Sequence, residues 1–306
     1  MAKTSTAALQ SLPWRGPAED RPDLPLPPGK MPVRFAGTWR KRWRYVGAFG
    51  ERVMLSAASV RIGPLGQTFW AILDRESGEI IEHTKQLLPA QRGEVWSERG
   101  GGQGPWELGS TGDSLRTKID ARGVTAKLSF GERGAWAESI CSNGDGGYVW
   151  TRKRPSWVDL HLDLGERGEI HETMRAIEDE SAGYHPRHTV WNWSAGVGTA
   201  SDGRKVAWNL VAGVNDPEAG SERAVWIEGE DEPREPGRVE FDGLEAVRFE
   251  NGSRLEFAAD AERRAEENRL VVKYSYRQPF GCFSGSLDGI QLAEGIGVME
   301  HQDAVW

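Results

Sequence analysis

Short apolar segments that end at glycine-containing turns recur along this chain, and they limit its fold more than any other feature. Residues 53–60 and 68–73 are two such segments, and the polar turn 74–78 leads from the second into a third at 79–83. Apolar and polar residues then alternate strictly over 158–164, as in a strand with one buried face. Strands joined by short turns are typical of antiparallel sandwiches and barrels. The sequence therefore predicts an all-β protein.

Several segments depart from this pattern. Residues 1–32 are rich in proline and poor in large apolar residues, which predicts an extended arm that lies on the body or is disordered. Residues 172–180 and 258–267 have a helix-favouring composition, and the second could equally be a charged hairpin loop. The acidic run 172–180 and the basic run 40–44 are expected to be solvated faces. A row of arginines that binds an anion is the alternative for the basic run.

Charge and missing motifs exclude several classes of protein. The net charge of −8 argues against a nucleic-acid-binding protein, which needs a basic face to neutralise phosphates. Cys141 and Cys282 have no metal or redox spacing, and phosphate-loop, dinucleotide and nucleophile-elbow motifs are absent. We therefore expect no cofactor. Because residues 1–12 do not resemble a signal peptide and no run is long enough for a membrane span, we expect a cytoplasmic protein.

The run Tyr184–Ser194 holds the densest cluster of reactive and stacking side chains. If residues 188–194 form a strand, His188 and Asn192 share one face, while Trp191 and Trp193 share the other. The first face could orient a ligand or relay a proton, and the second could form an apolar wall. His185 and His188 could in principle share a metal, but Pro186 prevents a helix and a strand separates them. We therefore predict no metal site, and structural histidines remain the alternative.

A second cluster begins at Tyr274 and ends near the last residue. Tyr274, Tyr276 and Gln278 alternate onto one face of a predicted strand, and Glu300 lies next to His301. The functional interpretation is an acid–base or orienting pair at Glu300 and His301. A closing strand with solvated polar ends is the alternative.

Five stretches together carry a family resemblance: RKRWRYVG (40–47), GYHPRHTVWNWSAGVG (183–198), VAWNLVAGVND (206–216), YRQPFGCFSG (276–285) and GIGVMEHQDAVW (295–306). They resemble the bacterial family labelled domain of unknown function 2804. That family is distantly similar to the tandem lipocalin-like group of carotenoid hydratases and tocopherol cyclases. The resemblance implies two calycin-type β-barrel or β-sandwich halves in tandem, with an apolar ligand in a barrel or at the junction. We place the Pro-rich arm at 1–32 and the lipocalin-like halves at 33–168 and 169–306.

Three functions fit these features. The first is a cofactor-free cyclase, hydratase or isomerase acting on an apolar terpenoid-, polyketide- or lipid-like molecule; the others are a carrier or sensor of such a ligand and a carbohydrate-active sandwich. The sequence does not decide whether the chain is catalytic, nor its oligomeric state. The acid–base candidates are His185, His188, Tyr276, Glu300 and His301. The ligand-binding candidates are Tyr184, Trp191, Asn192, Trp193, Trp226 and Gln278.

Overall fold

Antiparallel strands make up most of this chain, as the sequence predicts. A computed structural model describes residues 6–87, 94–99, 102–104, 116–121, 123–268 and 273–306. Residues 1–5 of the predicted arm lie outside the described residues. In the described part the strands form two large sheets and one two-stranded sheet. None of the described helices is long and apolar enough to cross a membrane.

The described part of the proline-rich arm lies on the body of the protein. Its apolar residues Leu24, Leu26 and Met31 are buried in one cluster with Tyr148 and Trp150. The arm and the segment after it contain α1 (Thr6–Gln10), β1 (Trp14–Arg15), a 3₁₀ helix (Ala18–Asp20), β2 (Arg34–Phe35) and β3 (Thr38–Trp39).

The first large sheet includes β1 of the arm. Its other strands are β4 (Lys41–Phe49), β5 (Val53–Ile62), β6 (Leu65–Asp74), β7 (Glu79–Leu87), β8 (Val95–Arg99), β9 (Gly102–Gly104), β10 (Arg116–Ala121), β11 (Val124–Arg133), β12 (Ala137–Ser142), β13 (Tyr148–Asp163) and β14 (Glu169–Gly183). A 3₁₀ helix (Gly165–Arg167) joins the last two. Within the described ranges the strand order is β7-β6-β5-β4-β14-β13-β11-β10-β8-β9, and β12 pairs with both β13 and β1.

The second large sheet contains every later strand that the structure describes. These are β15 (His188–Ala200), β16 (Lys205–Ala212), β17 (Ala224–Ile227), β18 (Val239–Asp242), β19 (Ala246–Phe249), β20 (Arg254–Asn268), β21 (Lys273–Leu287) and β22 (Ile290–Val305). Their order is β17-β16-β15-β22-β21-β20-β19-β18, so the last strand lies in the middle of the sheet. The chain passes from the first sheet to the second between Gly183 and His188. The predicted domain boundary at 168/169 stays a prediction.

Each large sheet encloses an apolar core, and a third core joins the two sheets. Leu55, Trp70 and Leu160 belong to the core of the first sheet, and Trp208 and Phe283 to that of the second. The third core contains residues of both sheets, including Tyr45, Met54, Ile177, Trp193 and Phe280. The two sheets are therefore packed together through buried side chains, and a cavity lies beside this shared core.

Glycines on β15 and β22 allow close packing at the centre of the second sheet, and Gly196 makes room for an indole from the neighbouring strand β16. Gly196 lies opposite Gly297, and a Cβ atom at Gly196 would overlap the ring of Trp208. The indole of Trp208 lies in that space and donates to the Ser194 hydroxyl over 3.1 Å. The GVG and GIG motifs of the sequence therefore have a packing role.

Two expectations from composition were wrong. Residues 172–180 and 258–267 are strands, because pairing with neighbouring strands outweighs their weak helical preference. The acidic and basic runs are also not simply solvated faces, since Glu178, Glu180 and Arg44 are buried. Arg44 lies opposite Glu180 in the register of β4 and β14, with Nε 3.3 Å from Oε1. Opposite charges on adjacent strands thus neutralise each other inside the protein.

Candidate functional site

A cavity of about 810 Å³ opens between the two sheets. Apolar and aromatic side chains form most of its wall, and exposed residues such as Trp39 and Arg187 mark its opening. Its polar lining comes from both sheets and from the segments that follow β14 and β16: Tyr45, Lys153, Asp179, His185, Asn215, Glu222, Arg263, Tyr276, Glu300 and Gln302. A concave apolar site with a few converging polar groups is typical of small-molecule pockets.

One wall of the cavity is a column of stacked rings. Trp43 lies 6.3 Å from Trp191 with an interplanar angle of 8°, and Trp191 lies 6.3 Å from Trp306 at 20°. At the other end of the column, His185 packs against Trp43 at 4.8 Å. Trp193 meets Tyr45 edge to face at 5.3 Å. Stacked rings provide a flat, apolar and electron-rich surface for a ligand.

Glu300 is a buried carboxyl group in this lining. Its Oε1 accepts from Trp191 Nε1 over 2.9 Å, and its Oε2 accepts from the Tyr276 hydroxyl at 2.9 Å and from Gln278 Nε2 at 3.0 Å. None of these three donors carries a positive charge. Burial raises the pKa of Glu300 from 4.5 to about 7, because the hydrogen bonds only partly offset the loss of solvation. Glu300 can therefore hold or release a proton near neutral pH.

The hydroxyl that contacts Glu300 belongs to a fully buried tyrosine. Burial and the nearby Glu300 carboxylate raise the pKa of Tyr276 well above 10, so its phenol stays protonated. Its ring lies 4.8 Å from the guanidinium of Arg263, which also packs on Phe69 at 4.4 Å. Arg263 donates to the Thr84 hydroxyl and pairs with Glu82 at 3.3 Å, so the first sheet fixes its position. A neutral phenol next to a titratable carboxyl group can relay a proton.

A second polar cluster in the lining is centred on a buried lysine. Lys153 Nζ lies 2.7 Å from Asp179 and 3.2 Å from Glu222, and Asn215 Nδ2 donates to Glu222 over 3.0 Å. Burial raises the pKa of Asp179 to about 6 even though Lys153 opposes the shift. The nearby carboxylates raise the pKa of Lys153, so the lysine is charged at neutral pH. Asp179 Oδ1 has no hydrogen-bond partner in the described part of the chain.

His185 is a buried imidazole in the segment that joins the sheets. Neither ring nitrogen has a hydrogen-bond partner among the described residues. Desolvation, with a smaller effect of the Lys41 ammonium, lowers the pKa of His185 to about 3, so the ring is neutral. Lys41 itself donates to the main-chain oxygen of His185 over 2.7 Å. A neutral imidazole with both nitrogens unpaired can donate one hydrogen bond and accept another.

Comparison with known proteins agrees with this architecture. Residues 161–306 match the family model described as domain of unknown function (DUF2804). The predicted family resemblance is confirmed. The match begins within β13 and includes all of the second sheet that the structure describes. No curated protein is significantly similar in sequence.

Solved structures extend the likeness to most of the chain. Kievitone hydratase from Nectria haematococca is 12% identical with a TM-score of 0.52, and the alignment covers 90% of each chain. A protein from Nitrosomonas europaea described as a candidate AttH is 14% identical with a TM-score of 0.50, over 90% of this chain and 97% of that one. The lipocalin-like fold class predicted from the sequence is confirmed, and at these identities the likeness concerns the fold.

The strand register explains which predicted residues reach the cavity. Trp193 lies opposite Glu300 and Trp191 opposite Gln302, and directly opposed residues share a face of an antiparallel pair. Tyr276 on β21 lies opposite Gln302 from the other side. Of the predicted site residues, the cavity lining includes His185, Trp191, Trp193, Tyr276 and Glu300. Gln278 supports this group by its bond to Glu300, although it is not part of the lining.

The other predicted site residues lie outside the cavity lining. His188 is exposed and lies 2.8 Å from Asp303. On the face of β22 opposite Glu300, the Nδ1 atom of His301 lies 2.9 Å from Asn192 Oδ1. Two further aromatic residues have main-chain partners: the Tyr184 hydroxyl donates to Pro32 O, and Trp226 Nε1 donates to Ala135 O.

Sequence reasoning missed the polar residues that the first sheet contributes. Tyr45, Asp179 and Lys153 are adjacent in register across β4, β14 and β13, so they form one row on the cavity face. Asp179 stands in the acidic run that was expected to be solvated. The available signal was the opposite sign of the two runs, since oppositely charged neighbours on paired strands can be buried together.

Proposed function

We propose that this protein is a cofactor-free enzyme of the hydratase, isomerase or cyclase kind that acts on an apolar small molecule. One observation carries the proposal: the buried Glu300 carboxyl group, with a pKa raised to about 7, lies beside the Tyr276 hydroxyl in an aromatic cavity of about 810 Å³. The fold likeness to a hydratase agrees with it. The several ionisable groups in the lining favour an enzyme over a passive carrier.

The chemistry begins with proton transfer. Protonated Glu300 delivers its proton, directly or through the Tyr276 hydroxyl, to a double bond or carbonyl group of the bound substrate. Trp191 and Trp193 face the positive charge that develops on the substrate and stabilise it through their ring faces. In a hydration, water adds to the cationic carbon and releases a proton to the Asp179 carboxylate. In an isomerisation or cyclisation, the substrate instead loses a proton of its own to the Asp179 carboxylate, and in each case exchange with water then returns a proton from Asp179 to Glu300.

Lys153 keeps Asp179 in the ionised form that the second step of the reaction requires. Its ammonium binds one carboxylate oxygen of Asp179, while Oδ1 stays available to a donor in the cavity. His185 lies at the other end of the ring column and can bind a hydroxyl or carbonyl group of the substrate. The preferred substrate is thus a flat, apolar molecule with at least one oxygen substituent.

The test compares wild-type protein with Glu300→Gln in an apolar extract of the native cells, followed by mass spectrometry. We expect the wild type to replace at least one compound by an isomer or by its adduct with water. Glu300→Gln should slow this conversion by roughly 10²- to 10⁴-fold, the usual contribution of general acid–base catalysis. Far-ultraviolet circular dichroism checks that the variant is folded.

Glu294→Gln is the matched control, because Glu294 lies on the same strand but is exposed and accepts from Thr199. It should convert the extract at the wild-type rate. Equal rates for wild type and Glu300→Gln would contradict the proposal. Retention of an apolar compound without any conversion would favour the carrier.

A further inference from the structure

Two histidines and a glutamate meet on the outer face of the first sheet, away from the cavity. His161 on β13 lies directly opposite His171 on β14, and Glu169 is two residues before His171 on the same face. The two imidazole rings are 4.3 Å apart with an interplanar angle of 16°. The side chains alternate with the buried Leu160, Leu162 and Ile170, so the strand pattern directs all three toward solvent.

The donor atoms of these residues converge. Glu169 Oε2 lies 3.2 Å from His161 Nε2 and 3.5 Å from His171 Nε2, and one donor atom from each residue lies within 4.8 Å of the others. A tetrahedral ion with bonds of about 2.0–2.2 Å places its ligands about 3.4 Å apart. Both measured carboxylate–imidazole separations are close to this spacing.

We propose that His161, Glu169 and His171 form a binding site for a divalent transition-metal cation of the zinc type. Two imidazole nitrogens and one carboxylate oxygen are a ligand set that zinc accepts, with water in the remaining position. Imidazole ligands exclude Mg²⁺ and Ca²⁺, which take oxygen ligands. The site is open to solvent, so a cation can enter without rearrangement of the fold.

The surrounding charges also bear on this site. Lys127 on β11 lies opposite His161 on its other side and weakens cation binding. Asp163 lies opposite Glu169 on the same face and offsets that charge. The short loop Gly165–Arg167 closes this end of the hairpin. A cation bound here would link β13 to β14 near the loop, which is a structural and not a catalytic role.

The test is Zn²⁺ titration by isothermal calorimetry of full-length protein that carries no polyhistidine tag. We expect one Zn²⁺ per chain for wild type, and affinity about tenfold or more lower for His161→Ala and for His171→Ala. Mg²⁺ should give no binding. Bound Co²⁺ should show the strong visible absorption of a tetrahedral site, which a loosely held six-coordinate ion lacks.

His188→Ala is the matched control, since His188 is an exposed histidine that pairs with a carboxylate, Asp303, on the second sheet. It should leave Zn²⁺ affinity unchanged. Absence of Zn²⁺ binding to wild type would overturn the proposal. So would equal affinity for wild type and the His161→Ala/His171→Ala double variant, since binding would then occur elsewhere on the protein.

Discussion

Glu300 and Asp179 are buried carboxyl groups that line the same cavity, and their surroundings differ. Glu300, on the second sheet, accepts hydrogen bonds from three neutral donors. Asp179, on the first sheet, is held by the Lys153 ammonium and keeps one oxygen without a partner in the described residues. Burial raises the pKa of both groups, to about 7 for Glu300 and about 6 for Asp179. The Lys153 ammonium lowers the pKa of Asp179, and an aspartate is already more acidic than a glutamate, so Asp179 is the more acidic of the two.

Glu300 and Asp179 together give one pocket both an acid and a base. Two carboxyl groups of similar burial acquire different protonation states when only one of them has a cationic partner. Near pH 7 a substantial fraction of Glu300 is protonated, while most of Asp179 is ionised. The proposed donor and acceptor therefore differ both in residue type, since an aspartate is the stronger acid to begin with, and in their neighbours.

The largest expected effect on stability comes from removal of the cation beside Asp179. Lys153→Met leaves the buried Asp179 and Glu222 side by side without their shared partner. Loss of one member of a buried ion pair costs about 3–5 kcal/mol, and denaturant unfolding at pH 7 measures this loss. Lys205→Met, at an exposed lysine, should change stability by less than about 0.5 kcal/mol. Equal losses in the two variants would show that the Lys153 cluster is not a buried ion pair.

The second prediction concerns the titration of Glu300. The folded protein binds its proton more tightly than the unfolded chain does, so stability is lost as pH rises from about 4.5 to about 7 and then levels off. The titration lowers the free energy of unfolding by about 3 kcal/mol, and Glu300→Gln removes this pH-dependent loss. The free energy of unfolding of Glu300→Gln, relative to that of wild type, should therefore increase by that amount between pH 4.5 and pH 8. Denaturant unfolding at each pH measures this difference.

The raised pKa of Asp179 acts in the same direction at lower pH, and taking the difference between variant and wild type removes the part of that contribution that does not depend on Glu300. Glu294→Gln on the same strand should follow the wild-type curve. A difference between Glu300→Gln and wild type that stays constant with pH would refute the raised pKa of Glu300.

The smallest expected effect concerns His185, a polar group of the cavity with no partner in the described structure. His185→Phe keeps a flat ring against Trp43 and removes two desolvated nitrogens, so it should stabilise the protein by about 1 kcal/mol. Thermal unfolding measures this gain. The same change should slow conversion of the extract about tenfold, because the substrate loses a hydrogen bond.

His301→Phe provides the opposite case, because His301 has a partner in Asn192. It should destabilise the protein by about 1 kcal/mol. If both phenylalanine variants changed stability in the same direction, the partners of the two histidines would not be the cause.

The sequence was sufficient to predict the fold class and several of the residues that the second sheet contributes to the cavity. The reasons are physical. Alternation on β15 correctly separated Trp191 and Trp193 from His188 and Asn192, because strand faces follow directly from residue parity. Tyr276 was proposed for the same reason, whereas Glu300 was proposed because it lies next to His301. Lys153 and Asp179 are cross-strand neighbours within the first sheet, but their contact with Glu222 depends on how the two sheets pack. No local pattern encodes that arrangement.

The central position of β22 has a consequence for synthesis of the chain. Glu300 lies on this strand, which fills the gap between β15 and β21. During translation the second sheet remains divided until β22 has left the ribosome, and until then the aromatic wall faces water. The cavity therefore becomes complete only when β22 has paired with both of its neighbours, so ligand binding follows closure of the second sheet.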